Sequence, residues 1–383
     1  MHIGIVTSEF PPDIGGVETY AVEFAKTLVS FGHEVSVFVH THHNTELSIP
    51  GIILCPVLKF CRRLDRNTLK QYEVDAWHVM NAAHSWLTLE TDKPVVVSIH
   101  GNDFLNPYPL TGTPALASWE PLWRCSSLLA ALDKWLGKKL TSSYMREALP
   151  KARIILANSH YTEQVFLANF PECKGKTLVS QVGVGDNFLA SLPPKRNNHV
   201  PQLLTVSRLS EPRKNVNKVI QALAHLNNHT DFRYTIIGDG AFKPHLEILA
   251  NNLGLEDKIN FLGRQPTENV VESMCQADLF ILPSSTLPDS HEGFGIVYLE
   301  AAACGTPSLA TRQAGAIEAI SNGESGFFID EPSVDNIKNA LQCFLDGQIS
   351  FSAKDCRRFA EQFTWRKVVE KALPFYLQGK NTS

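Results

Sequence analysis

The stretch from His291 to Glu300, reading HEGFGIVYLE, sets two carboxylates, Glu292 and Glu300, around Gly293, Phe294 and Gly295 at the start of an apolar run. A helix beginning near Phe294 to Ile296 leaves Glu292 in the preceding loop and projects Glu300 from its second turn. On one continuous helix this offset would separate the two acids by roughly 80°. The glycine break therefore fits better two carboxylates that serve different parts of one extended ligand. N–H groups at the helix start would lie between them and favour an anion. An extended ligand with an anionic middle and hydroxyl-bearing ends is a sugar nucleotide, whose hydroxyls carboxylates accept well. The other chemistry open to two acids is a hydrolase pair facing across one glycosidic bond, which spacing in sequence does not establish.

Four further stretches carry polar groups at strand ends. SRLSEPRKN (207–215) places Arg208 at the end of a strand and Lys214 after a short loop. Two fixed cations there suit a diphosphate and the charge that grows on it as it leaves; a solvated surface pair is the ordinary alternative. SEFPPDIGGVETYAVEFAKTL (8–28) joins a strand to a helix through Gly15 and Gly16, where free N–H groups and close backbone approach make a phosphate cradle. A turn that needs glycine only for geometry explains the same residues equally well. Neither G-x-x-x-x-G-K-[ST] nor G-x-G-x-x-G occurs, which removes a Walker loop and weakens an NAD or flavin reading. IHGND (99–103) displays His100 after the strand PVVVS, although a lone histidine is more often a structural hydrogen-bonding group. IIGDG (236–240) is by itself a common kind of turn.

These residues must be positioned by the elements around them. β-Branched runs at HIGIVTS, EVSVFVH (34–40), PVVVSIH (94–100) and ARIILANS (152–159) alternate with segments of helical spacing, which predicts βα units on a parallel sheet. The proline-rich, aperiodic stretch after residue 188 reads as a linker. Alternation restarts with QLLTVSRL (202–209), a helix over 214–228, FRYTIIGDG (232–240), a helix over 243–253, KINFLG (258–263) and DLFILPSS (278–285). The chain of 383 residues is longer than one core usually serves. An α/β architecture of two Rossmann-like, doubly wound domains follows, with ligand loops at the carboxyl ends of the strands.

Composition excludes several classes. With 44% hydrophobic and 19% charged residues the chain is ordinary globular protein. A formal net charge of −4 gives no global reason to bind nucleic acid. Eight cysteines without C-x-x-C spacing predict reduced thiols in a cytosolic protein, not zinc or a disulfide framework. The N-terminus lacks the features of a signal peptide, and no apolar run reaches the length of a spanning helix.

Taken together, EGFGIVYLE with the following AAACGTPSLATRQAGAIEAI, SRLSEPRKN, IIGDG and PPDIGGVETYAVEFAKTL resemble the retaining glycosyltransferases of family 4, of GT-B fold. The resemblance spans both halves of the chain in order. It implies an acceptor-binding domain over 1–188, a donor-binding domain over 201–363 facing it across a cleft, and a helix over 364–383 that crosses back to the first domain. It implies transfer of a sugar from a nucleoside diphosphate with the anomeric configuration kept, without metal or other cofactor. Arg208 and Lys214 would neutralise the departing phosphate, Glu292 would hold the donor sugar and Glu300 the ribose. Backbone amides of Gly293, Phe294 and Gly295 would touch sugar and phosphate, Gly15 and Gly16 would approach the phosphates, and His100 would sit beside the sugar. Asn158 and Ser159 match a strand-end motif at the cleft edge, Gly238 of IIGDG lies on the donor side, and Arg264 of GRQ falls where members wrap the base.

The sequence departs from the family where Asn215 follows Lys214 in place of the usual glycine, a change expected to alter loop geometry more than chemistry. QVGVGDNF (181–188) replaces the commoner Asn-Gly-Val-Asp. A long loop, PSSTLPDSHEGFG, leans towards GDP-mannose as donor, with a UDP-sugar as the alternative. Between Trp119 and Arg153, Arg124, Lys134, Lys138, Lys139, Arg146, Lys151 and Arg153 stand against Glu120, Asp133 and Glu147, interleaved with Trp119, Trp123 and Trp135. That composition fits either a helix lying on a membrane or a core-facing helix with a basic outer side. The first would bring a cytoplasmic enzyme to a lipid-linked acceptor at the inner membrane face. Two rival functions remain: a sugar-nucleotide epimerase of the same architecture, and a non-catalytic sugar-nucleotide binder.

Overall fold

The structure is a computed structural model that describes residues 1–11, 15–41, 43, 48–107, 126–190, 200–227 and 230–377, without the side chains of residues 130, 133 and 134. The chain divides into two compact units, Met1–Val182 with Trp365–Ser383, and Gly183–Thr364.

The first unit is built on seven parallel strands: β1 (His2–Val6), β2 (Glu34–His40), β3 (Ile52–Leu58), β4 (Ala76–Val79), β5 (Val95–Ile99), β6 (Ile154–Ala157) and β7 (Thr177–Val179). Their order is β3-β2-β1-β4-β5-β6-β7. The runs IGIV, VSVFV and VVVSI are buried on both faces, as strands covered on two sides by helices must be. The chain steps outwards from β1 to β3 and then returns to lay β4 against β1, with Ile3 opposite Ala76 and Ile5 opposite His78. This reversal is a topological switch point, where loops leaving neighbouring strands diverge and open a crevice.

Two helices of this unit bear on function. In the helix Ser127–Ala148, Gly137, Thr141, Met145 and Ala148 are buried, and the helix packs on the 3-10 turn Ala82–Leu89. The C-terminal helix Trp365–Ala372 buries Trp365, Val368, Val369 and Ala372 and packs along the helix Gly16–Ser30. The Trp365 ring meets Tyr20 edge-on at 5.2 Å. Just beyond, Tyr376 OH is hydrogen-bonded to His78 Nδ1, whose Nε2 is 2.8 Å from Ser98 Oγ.

The second unit carries six parallel strands, β8 (Gln202–Val206), β9 (Arg233–Ile237), β10 (Ile259–Gly263), β11 (Leu279–Leu282), β12 (Ser308–Thr311) and β13 (Gly326–Ile329), in the order β10-β9-β8-β11-β12-β13. Its switch point lies between β8 and β11, where Leu203 pairs with Leu279 and Leu204 with Phe280. The unit begins at Gly183 because Val184 N–H donates to Phe363 O at 3.1 Å and the turn Asp186–Ala190 packs on the helices Thr267–Gln276 and Ile296–Ala303.

Both α/β sheets match the sequence expectation. Five strands are not marked by its periodicity: β3, β4, β7, β12 and β13. All are short or interrupted by residues such as Pro56 and His78, so alternation is lost over a window of three to seven residues. Among the described residues no helix is long and apolar enough to cross a membrane. Seven described cysteines are free thiols; Cys125 lies outside the described residues.

Candidate active site

The charged centre of the second unit is assembled by the loops that leave β8 and β11, on either side of the switch point. After β8, a 3-10 turn over Pro212–Lys214 carries Arg213 and Lys214; after β11, the loop ends in Glu292. The loops are joined by backbone and side-chain bonds. Ser285 N–H donates to Arg213 O at 2.7 Å, and Asn215 Nδ2 donates to Arg213 O, Pro283 O and Ser285 Oγ at 3.0, 2.7 and 2.8 Å. Asn215 holds φ 55 and ψ 26, the left-handed conformation that glycine favours and that asparagine tolerates. Asn215 takes a backbone conformation open to glycine, and its side-chain amide is shared among three acceptors of the two loops.

Glu292 Oε2 lies 2.6 Å from Lys214 Nζ, 3.5 Å from Arg213 Nη1 and 3.4 Å from Ser284 Oγ. Burial alone would raise the Glu292 pKa. Lys214 and then Arg213 outweigh it and bring the carboxyl down to about 2. Arg213 Nη2 also pairs with Glu211 Oε2 at 2.6 Å, and Glu211 Oε1 reaches Arg208 Nη2 at 3.6 Å. Arg213 and Lys214 are buried, whereas the Arg208 side chain is 56% exposed. Lys214 is thus matched to Glu292, and Arg208 stands outside this buried group. Both line an open cavity of about 530 Å³ with Leu209, Glu211, Phe242 and His245.

The two acids of HEGFGIVYLE fall in different structural places. Gly295, at φ 91, caps the helix Ile296–Ala303, and a side chain there would strike the Tyr298 ring at 2.5 Å. Glu292 precedes the turn, and Glu300 stands half-buried in the second turn of the helix. Glu292 O accepts from Gly315 N–H at 3.0 Å, and a Cβ on Gly315 would meet Gly293 O at 2.1 Å. Phe294 is buried against Phe363, 5.9 Å between ring centroids.

Gly238 closes the carboxyl ends of three strands. Its N–H donates to Gly263 O at 2.8 Å, its φ is 132°, and a Cβ would lie 1.9 Å from Ser207 O. Packing of strand ends accounts for this glycine. Arg264 is exposed just past β10.

In the first unit, His100 follows β5. Its N–H donates to Asp103 Oδ1 at 2.9 Å, and Asp103 Oδ2 accepts from Ala82 N–H at 2.9 Å. The imidazole sits edge-on to Tyr20 at 4.6 Å, and its Nε2 is covered and without a hydrogen bond among the described residues. Burial lowers its pKa, opposed by Asp103. Asn158 Nδ2 donates to His100 O at 3.4 Å, so the ends of β5 and β6 are tied. Ser159 caps the helix His160–Asn169, its Oγ accepting from Thr162 N–H at 2.9 Å.

Gly15 is the N-cap of the helix Gly16–Ser30 in extended backbone, and its lack of a side chain makes room for the Glu18 carboxylate, 2.5 Å from where a Cβ would stand. The helix start therefore already carries a carboxylate, and the open side is at Gly16, where nothing lies within 4 Å of an added Cβ.

Sequence reasoning points to Arg208, Lys214, Glu292 and Glu300 but not to Glu211 and Arg213. The signal available is the acid followed by two adjacent cations across a proline in EPRK. Of the basic segment over 119–153, Trp119, Glu120, Trp123 and Arg124 and the side chains of Asp133 and Lys134 lie outside the described residues. Within the helix Ser127–Ala148, Leu128 is 82% and Trp135 56% exposed, Leu129 and Leu132 are exposed with them, and Lys139 Nζ lies 5.3 Å from the Trp135 ring centroid.

Comparison with known proteins places this geometry in context. A family model described as Glycosyltransferase Family 4 matches residues 14–184, and one described as Glycosyl transferases group 1 matches residues 193–363. A GDP-mannose-dependent alpha-(1-6)-phosphatidylinositol monomannoside mannosyltransferase of Mycolicibacterium smegmatis is 25% identical over 362 residues, 88% of this chain and 87% of that protein. An N-acetyl-alpha-D-glucosaminyl L-malate synthase of Bacillus anthracis is 32% identical over 166 residues, 43% of this chain and 42% of that protein. The crystal structure of a glycosyltransferase from Rickettsia africae superposes with a TM-score of 0.71 at 23% identity, covering 99% of both chains.

Proposed function

Because this chain belongs to glycosyltransferase family 4 and has the GT-B fold, we propose that it moves mannose from GDP-mannose to a glycan or lipid-linked acceptor with the anomeric configuration retained. The observation that carries this reading is the Glu292 carboxylate, half-buried, ionised and shared by Lys214 and Arg213 at the switch point of the second unit. An ionised, half-buried acceptor suits sugar hydroxyls, and Lys214 together with Arg208 would supply positive charge for a departing diphosphate without calling on a metal. Glu300 would take the ribose, with Arg264 at the base. Backbone amides of Gly293 to Gly295 would face sugar and phosphate, with Gly238 beside them. In the first unit, Gly15, Gly16, His100, Asn158 and Ser159 would be assigned to the donor by the same family resemblance. The GDP-mannose dependence of the Mycolicibacterium relative supports this donor over a UDP-sugar.

A thermal-shift panel of GDP, UDP and ADP sugars tests the donor, since a ligand of the folded state alone raises the melting temperature. Stabilisation by GDP-mannose, followed by transfer of labelled mannose to an acceptor, is the expected result. Interconversion of the sugar without acceptor would replace the reading with an epimerase, and binding without hydrolysis or transfer would replace it with a sugar-nucleotide binder.

The acceptor side of the proposal rests on the helix Ser127–Ala148. Leu128, Leu132 and Trp135 recur at helical spacing on its solvent-facing half, followed by exposed Lys138 and Lys139, which is the chemistry of an interfacial segment on an anionic bilayer. The Mycolicibacterium relative, a phosphatidylinositol monomannoside mannosyltransferase, points the same way. We place the enzyme at the cytoplasmic face of the membrane on this ground. Flotation with anionic vesicles that exceeds flotation with neutral ones, and falls in Leu132→Glu, is expected; equal flotation with both would remove the membrane from the proposal.

A further inference from the structure

The charges around Glu292 raise a question of supply. Four charged side chains alternate in sign along their contacts, Glu211 to Arg213 to Glu292 to Lys214, and the Lys214 ammonium donates to Glu292 at 2.6 Å. If Lys214 is to serve an arriving diphosphate from the cavity it lines, Glu292 competes with the phosphates for it, because both are anions and the pair is largely buried. A second cation is already in place for the carboxylate. Arg213 Nη1 lies 3.5 Å from the same oxygen, Oε2, that Lys214 holds. Its guanidinium is buried and shared with Glu211, and its backbone is fixed by Ser285 N–H at 2.7 Å. It cannot swing to a ligand as exposed Arg208 can.

We infer that Arg213 is a positioning residue that retains Glu292 as an ionised acceptor and so frees Lys214 for the donor diphosphate, while Glu211 sets how much of the guanidinium's charge reaches Glu292. This rests on the reading of Lys214 as a diphosphate ligand. The loop after β8 then divides its labour: Arg213 faces inwards to the protein's own carboxylates, and Lys214 is the cation handed over. A guanidinium suits the fixed role, being planar, permanently charged and able to bridge two carboxylates, whereas an ammonium on a flexible stem suits exchange.

The test is calorimetric titration of GDP, UDP and ADP into the wild-type protein, carrying the tightest binder into variants. Arg213→Gln should weaken the nucleotide about tenfold by returning Lys214 to Glu292, and Arg213→Lys should restore most of the loss. The double variant Arg213→Gln/Glu292→Gln should also regain affinity, because the competing charge is gone; a residue that merely braced the loop would give no such recovery. Should Arg213→Gln fail to fold, Glu211→Gln takes its place. It leaves the whole guanidinium to Glu292 and should bind the nucleotide as tightly as wild type or more so. Wild-type affinity in a folded Arg213→Gln, no recovery in the double variant, or weaker binding in Glu211→Gln would overturn the inference. A wild-type protein that binds none of the three nucleotides would instead overturn the reading of Lys214, and the inference with it.

Discussion

The Lys214 ammonium and the Glu292 carboxylate, 78 residues apart in sequence, meet at 2.6 Å across the loops of two paired strands. Without Glu292 the buried Lys214 would lose its one ion-pair partner among the described residues, whereas Glu292 without Lys214 would keep the longer contact to Arg213. The contact also separates Lys214 from Arg208, which carries its charge outside the buried group.

Replacement of the two cations should therefore have unequal consequences for stability and similar ones for turnover. Lys214→Ala and Arg208→Ala should each lower turnover of the nucleotide sugar by on the order of 10²-fold or more, as loss of a leaving-group donor does. Lys214→Ala should also lower the melting temperature, since Glu292 keeps only its longer contact to Arg213; Arg208→Ala, at an exposed side chain, should leave melting unchanged. Steady-state rates with calorimetric melting would decide both, and near wild-type turnover in the pair would end their proposed role.

Stability should fall on mild acidification, and His78 is a main cause. Burial, then the neighbouring His100, lowers the His78 pKa from 6.5 to about 3, and burial lowers that of His84 to about 4. Below pH 6.5 the unfolded chain takes up a proton that folded His78 refuses, so stability declines as pH falls from 6.5 towards 3. Between pH 6.5 and 5 this amounts to about 2 kcal/mol for one such histidine. Urea unfolding at both pH values should show the loss, and His78→Gln should reduce it.

Glu292 contributes in a lower window. Its folded pKa of about 2 lies below the ordinary 4.5, so its stabilisation is complete above pH 4.5 and is lost as pH falls through 2. Glu292→Gln should abolish that segment of the pH–stability curve while leaving the histidine-driven segment between pH 6.5 and 5 in place.

Gly238 and Gly16 should respond in opposite ways to alanine. Gly238→Ala forces a Cβ onto Ser207 O at a φ of 132° and should cost about 2 kcal/mol or more. Gly16→Ala enters open space at a helix start and should leave stability unchanged or slightly higher. If Gly16 admits a donor phosphate, the same change should raise the Michaelis constant for the nucleotide sugar.

Tyr376→Phe removes the only hydroxyl bonded to His78 Nδ1 among the described residues and leaves a buried ring nitrogen without a partner. A loss of about 1–3 kcal/mol is expected, measured by urea unfolding. An unchanged midpoint would mean that the C-terminal segment is held by the packing of Trp365 alone.

The sequence by itself determined the class of fold and half of the charged centre. Strands such as β2 and β5 announce themselves because both their faces are buried, which demands unbroken runs of apolar residues. Lys214 and Glu292 stand out in sequence as candidates because they lie in loops after strands, with Glu292 just before a glycine turn, where functional side chains are often displayed. What only the tertiary structure decided is which charge meets which. Arg213 is adjacent to Lys214 in sequence, yet it and Glu211 were invisible as participants, and the partner of Lys214 is Glu292, not Arg208. The physical reason is the order of the strands. Periodicity records whether a strand is buried but not which strand lies beside it, and laying β11 against β8 is what brings two distant loops within the range of an ion pair.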